Sequence, residues 1–170
     1  ACSGGHQVMV LALASQTRSQ DALLDFLDVG KTPVHLAMKP DSGEIFVSNF
    51  DANSISEIAT GTNEVGGAYL VGAHPSRGLV SADNSTLYIS NFDANSVGIF
   101  SVDEARLIGS TRAGDGPDAL AFSTAGHLLF VVDHRSGDVA VIRTLTHSLF
   151  TMLPAGSQPN NIAVKSFSVK

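Results

Sequence analysis

The chain has 170 residues, 44% of them apolar and 15% charged, with 16 glycines, no tryptophan and a formal net charge of −6. Acidic balance without a Lys/Arg cluster disfavours nucleic acid and anionic membrane surfaces, which need a basic footprint, and the single cysteine excludes an internal disulfide. The longest strongly apolar run, Val8–Ala14, is too short to span a bilayer, while the composition as a whole predicts an ordered, turn-rich β protein.

The N-terminal Ala1-Cys2-Ser3-Gly4-Gly5 has no initiator Met. It reads as a processed, trimmed or fragmentary start; a Cys followed by a Ser/Gly spacer also reads as a lipid-anchored N-terminus at Cys2. Residues 7–29 predict two strands. The second of them, in Asp21–Val29, carries the pattern "DALLDFLDV", which one or two helical turns would also accommodate. From Gly30 onward the chain becomes periodic. "GKTP" at Gly30, "GAHP" at Gly72, "GDGP" at Gly114 and "GSQP" at Gly156 open four segments, each 42 residues after the last. A fixed period of this size means stacked supersecondary units.

The first full unit, 30–71, predicts strands at Val34–Lys39, Glu44–Asn49, Ser54–Thr60 and Gly66–Val71. The second, 72–113, predicts them at Ser76–Ser81, Thr86–Asn91, Ser96–Val102 and Arg106–Thr111. The third, 114–155, repeats the pattern through "HLLFVVD" and "DVAVI", and the partial unit 156–170 predicts a first strand at Asn160–Lys165. All are short, rich in Val, Ile, Phe and Tyr, and bounded by turn residues. No segment between them is long enough for a crossover helix, so neighbours should pair antiparallel. Four short antiparallel strands per 42 residues describe a blade. The expectation is an all-β chain, a β-propeller with about four blades' worth of sequence, the partial blade 7–29 included.

The heptad "SNFDANS" occurs at Ser48–Ser54 and again at Ser90–Ser96. It bridges the second and third strands, where Asn and Asp accept left-handed backbone and bond their own main chain. Asn53, Asn95 and their counterpart Gly137 are the expected positive-φ positions. The heptad therefore reads as turn chemistry, with a repeated binding element as the alternative.

These residues resemble the YVTN-type β-propeller repeats. The Tyr-Val-Thr-Asn motif appears as Phe46-Val47-Ser48-Asn49, as Tyr88-Ile89-Ser90-Asn91 and more loosely as Phe130-Val131-Val132-Asp133. The Gly-x-x-Pro opening followed by an apolar strand appears four times, and the resemblance covers nearly the whole chain from Gln7. It implies that the first strand of each unit lines a central channel. It also implies that the loops entering that strand share one face with the turns after the second strand. The family is largely extracytoplasmic, in bacteria and archaea, and similar propellers include lactonases and redox-enzyme subunits. Where the family often has Gly two residues after the Pro, this chain has His35, Arg77, Ala119 and Asn161.

No G-x-S-x-G, P-loop, zinc-type His/Cys spacing or Cys–His arrangement is present, so no catalytic residue, metal site or cofactor is expected. Asp51-Ala52-Asn53 is similar to the start of a calcium loop, but the Gly and the distal Glu are missing. Asn84-Ser85-Thr86 matches a glycosylation sequon. By the resemblance, His35, Arg77, Asp118 and Asn161 ring one mouth of the channel and could hold a small polar or anionic ligand; a plain solvated rim is the alternative. Only Asp115 and Asp118 lie near that mouth, which favours a non-catalytic surface or periplasmic module over a lactonase-like enzyme. Its expected partners are a protein, a glycan or a small ligand, with self-association through open blade edges. The ring itself can be read three ways: part of a larger ring, a small four-blade ring, or one of two chains that complete a ring together.

Overall fold

The structure, a computed structural model, describes residues 1–17 and 19–166. It opens with an antiparallel hairpin, β1 (Gln7–Ala12) and β2 (Ala22–Asp28), which forms a two-stranded sheet of its own. The stretch "DALLDFLDV" is thus a strand. Its exposed partner positions and the β-bulge at Val10/Leu11 fit a hairpin arm better than a packed helix face.

Three four-stranded antiparallel sheets follow. The first contains β3 (Pro33–Met38), β4 (Glu44–Asn49), β5 (Ser54–Ala59) and β6 (Glu64–Leu70). The second contains β7 (Pro75–Val80), β8 (Thr86–Asn91), β9 (Ser96–Ser101) and β10 (Arg106–Arg112). The third contains β11 (Pro117–Phe122), β12 (Leu128–Asp133), β13 (Asp138–Arg143) and β14 (Ser148–Pro154). In each sheet the strands pair in chain order, and the first strands lie side by side, β3 against β7 and β7 against β11. This is the blade arrangement of a propeller, with β3, β7 and β11 innermost.

The turn after each second strand has the predicted cause. Asn53, Asn95 and Gly137 have φ of 54°, 51° and 78°. That left-handed region suits Asn and Gly and penalises most other side chains.

The apolar runs of the middle strands are explained by packing on both faces. Phe46, Leu87, Ile89 and Phe100 form a core between the first and second sheets. Tyr88, Ile99, Leu129, Val131 and Ile142 form the next, between the second and third. Val8 and Leu27 of the hairpin cover Val47 and Ile58 of the first sheet. Side chains of this size each contribute roughly 1.5–3 kcal/mol when taken fully out of water. Val47, Ile89 and Val131 are completely buried, and so nearly are Phe46 and Tyr88. Phe130, at the same position in the third unit, is only half-buried. No further sheet covers that side of the third blade among the described residues.

The predicted strand Asn160–Lys165 is corrected: residues 160–165 have no strand pairing. A strand exists only where a neighbour completes its ladder. The first strand of a blade pairs with the second, and no second strand lies beside this segment among the described residues.

A candidate ligand-binding mouth

The inner strands begin alike. Pro33, Pro75 and Pro117 are buried at the strand starts, where a missing N–H costs no ladder bond. Directly after each Pro the register slips, between Pro33 and His35, Pro75 and Arg77, and Pro117 and Leu120. A bulge of this kind re-aims side chains at a strand end. It occurs once per unit, directly after the repeated Pro of each inner strand.

His35 and Arg77 are brought together across β3 and β7. The Gly78 backbone N–H donates to His35 Nδ1 at 3.3 Å, which leaves the ring proton on Nε2. Burial, and secondarily the Arg77 charge, holds His35 below the ordinary imidazole pKa, with Asp118 opposing. The ring is therefore neutral near pH 7, a donor at Nε2 with its Nδ1 acceptor occupied. Arg77 reaches the third blade, where its Nε donates to Asp118 Oδ1 at 3.1 Å. Only one of its nitrogens is used in this bond.

Asn161 lies on the segment after β14 and lines a cleft of about 230 Å³ with His35, Arg77 and Ala119. Asp118 and Asn160 line an adjoining cleft of about 440 Å³, in which His35 and Arg77 also take part. The four positions singled out by sequence thus border two adjoining clefts that share His35 and Arg77, with Asn161 lining the first and Asp118 the second.

Sequence reasoning missed the aromatic border of the second cleft. Phe50, Phe92 and His134 line it and succeed one another every 42 residues. Their ring centroids stand 6.4 Å apart at each step. The signal was present in the Phe of the repeated heptad, which a turn does not require.

Outside this border runs a chain of charges. His74 stacks on Phe50 at 4.4 Å and bonds Asp93 Oδ2 through Nδ1 at 2.5 Å. Arg135 pairs with Asp93 at 2.8 Å and with Asp115 at 3.6 Å, and lies over the Phe92 ring at 4.3 Å. Hydrogen bonds from His74 and Arg135 hold the Asp93 carboxyl below its ordinary pKa. Such exposed pairs are screened by solvent and add little stability; they join the turns that carry the aromatic rings. Among the described residues no three His, Cys, Asp or Glu side chains converge as metal ligands.

Solved structures with similar folds are far larger. The Kuenenia stuttgartiensis hydrazine synthase superposes with a TM-score of 0.73 at 24% identity, covering 76% of this chain and 38% of its own. A functionally unknown protein from Desulfotomaculum acetoxidans gives 0.80 at 13% identity, covering 94% of this chain and 53% of its own. The WD40 repeats of RRP9 give 0.66 at 18% identity, covering 72% and 38%. The chain therefore spans about half or less of the length of these neighbours. No curated protein matches the sequence. The family described as "Lactonase, 7-bladed beta-propeller" matches residues 60–150, more than half of the chain. With its four-stranded blades and its inner strands side by side, the chain belongs to the lactonase family of seven-bladed β-propellers.

Proposed function

We propose that the chain is a non-catalytic propeller module of YVTN-type repeats that binds a small, acceptor-rich ligand at the mouth formed by His35, Arg77, Asp118 and Asn161. The observation that carries this reading is the pairing of His35 Nδ1 with the Gly78 N–H at 3.3 Å. It turns His35 into an Nε2–H donor beside the Arg77 guanidinium. Both residues line the same clefts and carry unused N–H donors, so a carboxylate or carbonyl oxygen is the matching ligand chemistry. Phe50 and Phe92 at the border of the joined cleft would cover the apolar part of such a molecule. The resemblance to YVTN repeats supports an extracytoplasmic setting.

Lactone hydrolysis is the second reading, and the family match supports it. The same hydrogen bond counts against it, because a His with Nδ1 occupied and Nε2 protonated has no free lone pair to activate water. Titration of the protein with δ-valerolactone and with its hydroxy-acid product, 5-hydroxyvalerate, separates the readings by calorimetry and by acid release. Binding of the hydroxy acid without turnover is expected. It should weaken at least about tenfold in His35→Ala, Arg77→Ala. Equal binding by wild type and this double variant refutes the mouth; acid release that depends on His35 refutes the non-catalytic reading.

A further inference from the structure

At the opposite end of the strands, the turn between the first and second strands of one blade meets its counterparts in the next. Between the first and second sheets this junction is closed by a bridge, Asn84 Oδ1 accepting from the Asp41 N–H at 3.1 Å. One repeat later the same two positions are Gly126 and Asp83. Gly126 has no side chain with which to cross the gap. A cleft of about 600 Å³ lies there, between the second and third sheets.

The residues around this cleft depart from the repeat together. Phe122 stands where the preceding unit has Val80, His127 where it has Ser85, Leu145 where it has Asp103 and His147 where it has Ala105. Turn geometry does not demand the change, since Ala105 and His147 share a φ of 50°. The wall is held in place. The Tyr88 ring packs edge-on against Phe122 at 5.7 Å and against His147 at 5.9 Å. Its hydroxyl donates to Thr144 O at 3.4 Å, and Thr144 Oγ1 donates to Gly126 O at 2.8 Å.

The chemistry of the lining selects the ligand. Among the described residues no Lys or Arg borders the cleft, whereas Asp83 does. Hydrogen bonds from Ser81 and Ser85 hold the Asp83 carboxyl below its ordinary pKa, and all of them reach Oδ1. Among the described residues Oδ2 takes no hydrogen bond and is left as an acceptor, and the negative charge disfavours an anionic ligand. Aromatic rings flank the cleft, and Ser123, Thr124 and His127 supply polar groups along its edge. Apolar C–H surface with hydroxyls around its circumference fits this combination.

We propose that the cleft between the second and third sheets is a binding site for a neutral saccharide ring. It lies at the far end of the strands from His35 and Arg77 and does not rest on the function proposed for the mouth.

Backbone amide NMR, with methyl β-D-glucopyranoside and N-acetylglucosamine as probes, tests the proposal. Saturable shifts are expected in residues 81–86, 122–127 and 144–147 with at least one of the two sugars. The decisive variant is Gly126→Asn. A Cβ at Gly126 meets nothing within 4 Å, and Asn84 already occupies the equivalent site at φ 64° against 73° for Gly126. The fold should accept this Asn and gain the bridge to the Asp83 N–H, and sugar affinity should fall at least about tenfold. His147→Ala, which restores the residue type of position 105, should weaken binding as well. Absence of shifts with both sugars overturns the proposal, and so does undiminished binding by Gly126→Asn. A short aromatic peptide that shifts these residues where neither sugar does overturns it in favour of a protein ligand.

Discussion

Asp133 ends β12 where the other units have Asn49 and Asn91, and replacing it with Asn tests the buried polar layer beneath the turns. Asn49 donates through Nδ2 to Ser56 Oγ at 2.9 Å, and Asn91 donates to Val71 O at 3.0 Å. Asp133 is fully buried; its Oδ2 accepts from the Ala140 N–H at 3.1 Å and its Oδ1 has no hydrogen-bond partner among the described residues. Burial pushes its pKa up from 3.8 to about 7; the Asp138 carboxylate adds to this, while the Gly114 and Ala140 N–H groups oppose it. Between those two pH values the folded protein keeps a proton that the unfolded chain has released, so stability falls as pH rises. About three units at 1.36 kcal/mol each make this a loss of about 4 kcal/mol from about pH 4 to about pH 8. Asp133→Asn carries no charge at any pH, and its Nδ2 can donate to Asp138, which occupies the position of Ser54. The variant should lose this pH dependence and be more stable than wild type by about 2–4 kcal/mol at about pH 8. Urea unfolding followed by circular dichroism across that pH range measures both quantities. A variant whose stability falls with pH in parallel with wild type, or which is less stable at the alkaline end, refutes the reasoning.

Phe46→Ala should cost roughly 3–5 kcal/mol, because Phe46 is 2% exposed at the centre of the core between the first two sheets. Phe130→Ala, at the half-buried equivalent, should cost clearly less in the same denaturation experiment; equal costs would contradict the packing described here. The hairpin exposes Leu11, Leu23 and Phe26, and β14 exposes Leu149, Phe150 and Leu153. Apolar sheet surface of this kind favours association. Sedimentation should therefore show a mass above that of one chain at high concentration, and a single monomeric species there would argue against it.

The sequence by itself determined the repeat and almost everything local to it. The predicted strands Glu44–Asn49 and Thr86–Asn91 are β4 and β8 residue for residue. The positive φ of Asn53, Asn95 and Gly137 was legible because a turn imposes its conformation on its own residues. The candidate mouth residues His35, Arg77, Asp118 and Asn161 were named from their places after the repeated Pro together with the resemblance to YVTN-type repeats. What each of them touches was not legible. The Arg77–Asp118 pair and the His35–Gly78 bond each join different units. So do the aromatic border of Phe50, Phe92 and His134 and the cleft beside Gly126. A period records which residues are equivalent; it does not record how far one blade is rotated against the next, and that rotation decides which side chains meet. The segment 160–165 shows the same division. Its apolar pattern and its Pro are those of a first strand, but whether it becomes one depends on a neighbour to complete its ladder, which only the tertiary structure supplies.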